Sequence, residues 1–200
     1  MMKLFKCILC VFLIPCLLLQ AEEILNLSLQ KEILAMRDLD QKAREECVNS
    51  NFDTENLKKV ETIDKLHQVK LEEMIQAYGW PGYKLVGKDG SEAMWLLVQH
   101  VPDIEFQKKC LELLVSAVKK GDANPANLAY LQDRILVKEG KKQIYGTQWN
   151  EKQGKHFIYH MHEPSKVNER RMAVGLCSIE DSIKGYIQAY HLTEDDVSLE

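Results

Sequence analysis

Three stretches of this 200-residue chain carry residue types that could do chemistry together. In the helical run 127–138, Tyr130, Asp133, Arg134 and Val137 recur at i, i+3, i+4 and i+7, while Leu128, Leu131 and Ile135 make a separate apolar face. A phenol, a carboxylate and a guanidinium on one face can point into a cleft. The plainer use of the pair is an Asp–Arg brace on a loop, which contributes little when exposed. In the run 91–101, Trp95 and Gln99 share a face, and His100 follows Leu96 and Leu97 at the same spacings. At the border of a cleft, an imidazole is the side chain best suited to general-base work near neutral pH. In so apolar a helix it can equally be a satisfied core residue. In 142–149, a period of two puts Gln143, Tyr145, Thr147 and Trp149 on one strand face and Ile144, Gly146 and Gln148 on the other. Amide, phenol and hydroxyl groups line the first face, and Gly146 permits a bulge or the close approach of a ligand. We read this stretch as pocket lining, with an ordinary polar cross-strand face as its alternative.

Two weaker groups follow. Arg170 and Arg171 in Asn168-Glu169-Arg170-Arg171 offer guanidiniums suited to a carboxylate or phosphate, or else form a solvated basic turn. His156, His160 and His162 alternate along a strand, and with His100 they could form a His-x-His metal set. No carboxylate accompanies them, so no metal and no other cofactor is expected. The chain has no Gly-x-Ser-x-Gly, phosphate-binding Gly-rich loop, His-Glu-x-x-His or EF-hand loop.

The elements that must position these residues are mostly helices. Apolar spacing predicts helices over 24–48, with Leu25, Leu29, Ile33, Met36 and Leu39 as its stripe, and over 57–78. Gly79 and Pro81 end the second, and Asp53 or Thr54 caps its start. Helices are also predicted over 91–101, from 103 to 120, from Pro125 (capped by Asn124) to 138, and over 179–191. Runs 142–149 and 155–161, joined by Asn150-Glu151-Lys152-Gln153-Gly154, predict a β-hairpin. The fold class is therefore mainly α, a single helical domain with one packed two-stranded β-hairpin. The domain is expected over 22–192, followed by a frayed acidic tail at 193–200.

The first 21 residues have the outline of a signal peptide: Lys3 and Lys6, an apolar core from Cys7 to Leu19, and a small residue at Ala21. That core is shorter than the roughly 20 residues of a membrane span. A retained anchor is the alternative. Leu13-Ile14-Pro15-Cys16 resembles a lipoprotein box, but proline fits poorly before the cysteine. Removing this leader takes away two lysines and no acid, so the net charge moves from −4 to −6. A mildly acidic domain without a basic block argues against nucleic acid as a partner, and against a membrane except through an uncleaved leader. Cys47, Cys110 and Cys177 remain, isolated and odd in number. They allow at most one disulfide and no Cys-x-x-Cys zinc site.

Taken in order, Gly79-Trp80-Pro81-Gly82, Gln99-His100, Leu131-Gln132-Asp133-Arg134, Tyr145-Gly146-Thr147-Gln148 and Arg170-Arg171 resemble the hallmarks of a largely bacterial family, domain of unknown function 6624. The likeness covers about 57–186, and the hairpin histidines are not among its hallmarks. The family brings no established activity. What the resemblance implies is that these scattered polar groups form one set. The expected site is then a polar cleft binding a small polar or anionic ligand or a peptide. His100 would be its base, Asp133 would orient His100, and Gln99, Tyr130, Arg134, Gln143, Tyr145, Thr147, Gln148, Arg170 and Arg171 would hold the ligand. With the leader described above, the protein is expected to be exported, periplasmic or secreted, and the cleft could belong to a hydrolase-like acid–base enzyme. The alternative is a non-catalytic binding or interaction module of the cell envelope.

Overall fold

Short polar side chains start most of the long helices, as the sequence predicts. The computed structural model describes residues 25–199, and the expected leader lies outside them. Asn26 Oδ1 accepts from the Leu29 amide at the start of α1 (Leu27–Asn49), and Asp53 from the Asn56 amide at the start of α2 (Thr54–Tyr78). Asp103 caps α4 (Ile104–Lys119), and Asn124 with Pro125 opens α5 (Pro125–Lys138). Gly79, at φ +69°, ends α2.

The helix between α2 and α4 departs from expectation. Instead of starting at Ser91, α3 runs Tyr83–His100 and turns sharply at Gly87, whose φ is +69°. Its first turn is held from a distance. The Asp122 carbonyl accepts from the Tyr83 amide and the Asp122 carboxylate from the Lys84 amide, both at 2.8 Å. A cap supplied 38 positions along the chain leaves no local trace. Helices α1 to α5 enclose the main core, in which Ile33, Leu71, Met94, Leu97, Leu114 and Leu131 are almost wholly buried. Side chains of this size stabilise by about 1.5–3 kcal/mol each on burial.

A smaller lobe follows α5. Strand β1 (Trp149–Lys152) pairs antiparallel with β2 (Lys155–Ile158) through a two-residue turn at Gln153 and Gly154, both at positive φ. Helices α6 (Val167–Ala173) and α7 (Ile179–Ala189) flank it. The lobe has its own small core of Ile158, Met161, Val167 and Ile179. Two expectations are corrected here. The stretch 142–148 is not a strand: only an isolated bridge, Gln143 to Met161, marks it. Residues 193–199 are not a frayed tail, because β3 (Val197–Leu199) pairs parallel with β2 and makes the sheet three-stranded. Among the described residues the chain is mainly α, with seven α-helices, none long and apolar enough to cross a membrane.

Candidate functional site

The joint between the bundle and the small lobe is built on Asp133. Its side chain is fully buried and accepts from the amides of Ile144 (2.7 Å), Tyr145 (3.0 Å) and Thr147 (3.1 Å) and from the Thr147 hydroxyl (3.0 Å). Burial pushes this carboxyl above its ordinary value, and the four donors offset only part of that rise. Backbone N–H groups only donate, so their arrangement is complementary to the ionised carboxylate. On the loop's other side, Arg171, 1% exposed, donates to the carbonyls of Tyr145 (2.7 Å) and Cys177 (2.6 Å). Arg170 donates to the carbonyls of Ile144 (2.8 Å) and His162 (2.6 Å). Buried Gln143 completes the frame, donating to the carbonyls of Gln148 and Tyr159 and accepting from the Gln148 amide. The loop thus turns its amides toward an anion and its carbonyls toward two cations. Gly146, at φ +66°, allows the bend, and a Cβ there would meet Met161 Sδ at 2.7 Å.

These contacts correct five expected roles. Asp133 does not orient His100. Arg170, Arg171 and Gln143 spend their hydrogen bonds on backbone and frame the loop. The half-buried Tyr145, whose phenol is raised by burial and by the Asp133 charge, does not line the cleft described below.

His100 has a carboxylate partner that the sequence reading missed. Its Nδ1 lies 3.0 Å from both oxygens of Asp40, whose side chain is fully buried. Arg44 Nε also approaches Nδ1, at 3.1 Å, but the two Asp40 oxygens are nearer and an ionised carboxylate only accepts, so the pair favours a proton on Nδ1 with Nε2 as the basic nitrogen. No side chain or backbone group among the described residues bonds Nε2. Arg44 joins Asp40 (3.1 Å) to Asp64 (2.6 Å), and Gln41 donates to Asp40 at 2.8 Å. Burial raises the Asp40 carboxyl, but the His100, Gln41 and Arg44 contacts outweigh it and hold it below the usual value. Asp64 goes the other way, raised by burial more than Arg44 lowers it. Buried His67 is pushed down by desolvation, and its Nδ1 has no hydrogen-bond partner among the described residues. Fully buried Gln107 pins the end of α3 by donating to the carbonyls of Val98, Gln99 and Val101. A signal for Asp40 did exist. The buried stripe of α1 is Leu29, Ile33, Met36, Asp40, Ala43 and Cys47, so an acid occupies a core register position. Leu39, expected in that stripe, is 49% exposed.

His100 opens onto a cleft of about 660 Å³ between α3, α5, the 147–149 segment and α7. Gln99, Tyr130, Arg134, Thr147 and Gln148 share it, so six of the eleven site residues expected from sequence come together. Arg134 is half-buried, and its one hydrogen bond among the described residues goes to Gln99 Oε1 at 3.3 Å. Burial, with the nearby Arg44 charge, pulls its pKa below the ordinary arginine value. A guanidinium removed from water without a carboxylate is costly, and an incoming anion would relieve that cost. Trp95, Trp149, Tyr186 and Tyr190 add aromatic walls.

Among the described residues no three His, Cys, Asp or Glu side chains are grouped to hold a metal ion. His156 instead contacts the Tyr186 hydroxyl through Nδ1 at 3.1 Å. All three described cysteines are free, and burial pushes the Cys110 thiol up to about 12, which leaves it inert as a nucleophile. In comparison with known proteins, a family described as a family of unknown function, DUF6624, matches residues 27–195. No curated protein and no solved structure matches the chain. The matched span takes in α1, and with it Asp40 and Arg44, which lie outside the 57–186 likeness seen in the sequence.

Proposed function

We propose, for a chain that belongs to the DUF6624 family of unknown function, that the cleft binds a small ligand through a carboxylate or phosphate at Arg134 and that His100 acts on it as a general base. The observation that carries the reading is the half-buried Arg134 guanidinium with no carboxylate partner among the described residues, sharing a cleft with a histidine backed by a buried aspartate. In the reaction, His100 Nε2 takes a proton from an attacking water or hydroxyl. Asp40 holds Nδ1–H and stabilises the imidazolium that forms. Arg134 and the Gln99 amide stabilise negative charge developing on the ligand. Hydrolysis of an ester or phosphate ester is the reaction class this set suits. An exported location is proposed on the composition of the leader alone.

The test is a thermal-shift screen of small carboxylates and phosphates, repeated on Arg134→Met and Asp40→Asn, with chromogenic esters for turnover. Wild type is stabilised by an oxyanion. Arg134→Met loses that response while melting no lower than wild type, since an unpaired cation has been removed. Asp40→Asn keeps binding and loses turnover by about 10²–10⁴-fold. A wild type indifferent to every oxyanion, or an Arg134→Met protein that still responds, would sink the reading. Binding without turnover in the wild type would restrict it to a binding module.

A further inference from the structure

The opposite end of the cleft from α5 has a composition that a bare anion does not need. Trp149 and Tyr186 lie parallel, with ring centroids 3.8 Å apart, and Tyr190 continues the stack 4.4 Å from Tyr186 at a 30° tilt. His156 steadies Tyr186 through its hydroxyl and by an edge contact at 5.7 Å. Across the cleft, Trp95 donates to the Asn127 carbonyl at 2.9 Å and meets Tyr130 edge to face at 5.9 Å. These rings hold one another, with help from His156 and the Asn127 carbonyl, and they form the cleft walls.

Helix α7 supplies a second, independent observation. The face it turns to the cleft is Ser182, Gly185, Tyr186 and Ala189, with Tyr190 at its C-cap, small residues beside rings. Gly185 sits inside the helix, where glycine is unfavourable relative to alanine. Packing does not require it, because a Cβ there would meet nothing within 4 Å. It is not at positive φ either. Gly185 is exposed, so α7 presents no side chain at this point of the cleft lining.

We infer that the ligand is a ring-bearing oxyanion: a carboxylate or phosphate held at Arg134, attached to a flat aromatic or sugar ring that lies over Gly185 between Trp95 and the Trp149–Tyr186–Tyr190 stack. This rests on the oxyanion reading of Arg134. Aromatic walls accept either ring type, through π faces or through the C–H face of a pyranose. The missing side chain at Gly185 leaves the helix surface open to a group of ring thickness, and the amides of Gln99 and Gln148 provide polar edges.

The experiment measures affinity calorimetrically for three phosphates (inorganic phosphate, phenyl phosphate, glucose 6-phosphate) and three carboxylates (acetate, benzoate, glucuronate). At least one ring-bearing ligand is expected to bind about ten-fold or more tightly than its bare anion. Whether the phenyl or the sugar member gains identifies the ring. Gly185→Leu, which replaces glycine by a good helix former and so folds, is expected to erase that advantage while bare-anion binding persists. Tyr190→Ala does the same from the wall. Arg134→Met removes binding of both kinds. Equal affinity for bare and ring-bearing anions overturns the inference and leaves the oxyanion reading standing. So does a Gly185→Leu protein that retains the ring's advantage. If none of the six ligands binds, both fall.

Discussion

Replacing Asp133 by alanine strands three backbone N–H groups, those of Ile144, Tyr145 and Thr147, in a closed joint. The Thr147 hydroxyl can rotate to another acceptor, but the amides cannot. Each unsatisfied buried donor costs about 1–3 kcal/mol. Set against this is the desolvation relieved by removing a buried carboxylate, itself several kcal/mol, so the net loss is expected to be about 3 kcal/mol. For a domain of this size that is a fall in Tm of roughly 6–12 °C. Asparagine keeps the shape but turns one oxygen into a donor facing donors, so Asp133→Asn is expected to lose about half as much. The assay is urea unfolding of both variants with native-state amide exchange of residues 144, 145 and 147. Exchange there should rise far more than in α1 or α2, because the loop opens before the bundle does. An alanine variant within about 0.5 kcal/mol of wild type, with those amides still protected, would refute the view that one carboxylate holds the two parts together.

Two further outcomes follow from the same geometry. Gly146→Ala forces a Cβ at φ +66° to within 3 Å of Met161 and Ile179, and should cost about 1–3 kcal/mol in denaturant unfolding. Gly140→Ala, at φ +69° with nothing within 4 Å, should cost only about 1 kcal/mol, and equal losses would contradict the packing argument. His67 is buried and neutral, its pKa lowered by desolvation against the pull of Asp40 and Asp64 and with the help of Lys70 and Arg44. The unfolded chain therefore takes up a proton that the folded one resists. The stability tied to His67 is full above its ordinary value of 6.5 and is lost as pH falls toward the lower folded value. His67→Leu should flatten the pH dependence of urea unfolding between about pH 5 and 7. A variant whose curve keeps the wild-type slope would show that the loss arises elsewhere.

Local chemistry was enough to determine the fold class and most helix starts, because a cap acts within its own first turn: Asp53, Asp103 and Asn124 bond amides two or three residues away. The same locality explains why the polar residues of the Gln99-His100, Asp133-Arg134 and 145–148 segments could be picked out by type. Their roles could not. Asp133 and Arg134 are neighbours on one helix, yet one is sealed against a loop and the other faces the cleft, a difference set by which element packs on each. The stretch 142–148 has the alternation of a strand, but its amides are claimed by a carboxylate on α5 and its carbonyls by two arginines on α6, so it bends. Asp40 reaches His100 across 60 positions of chain, and only the packing of α1 on α3 removes it from water and makes it a partner. Periodicity can say that a residue lies on a buried face. What it meets there depends on long-range contacts, which no local pattern contains.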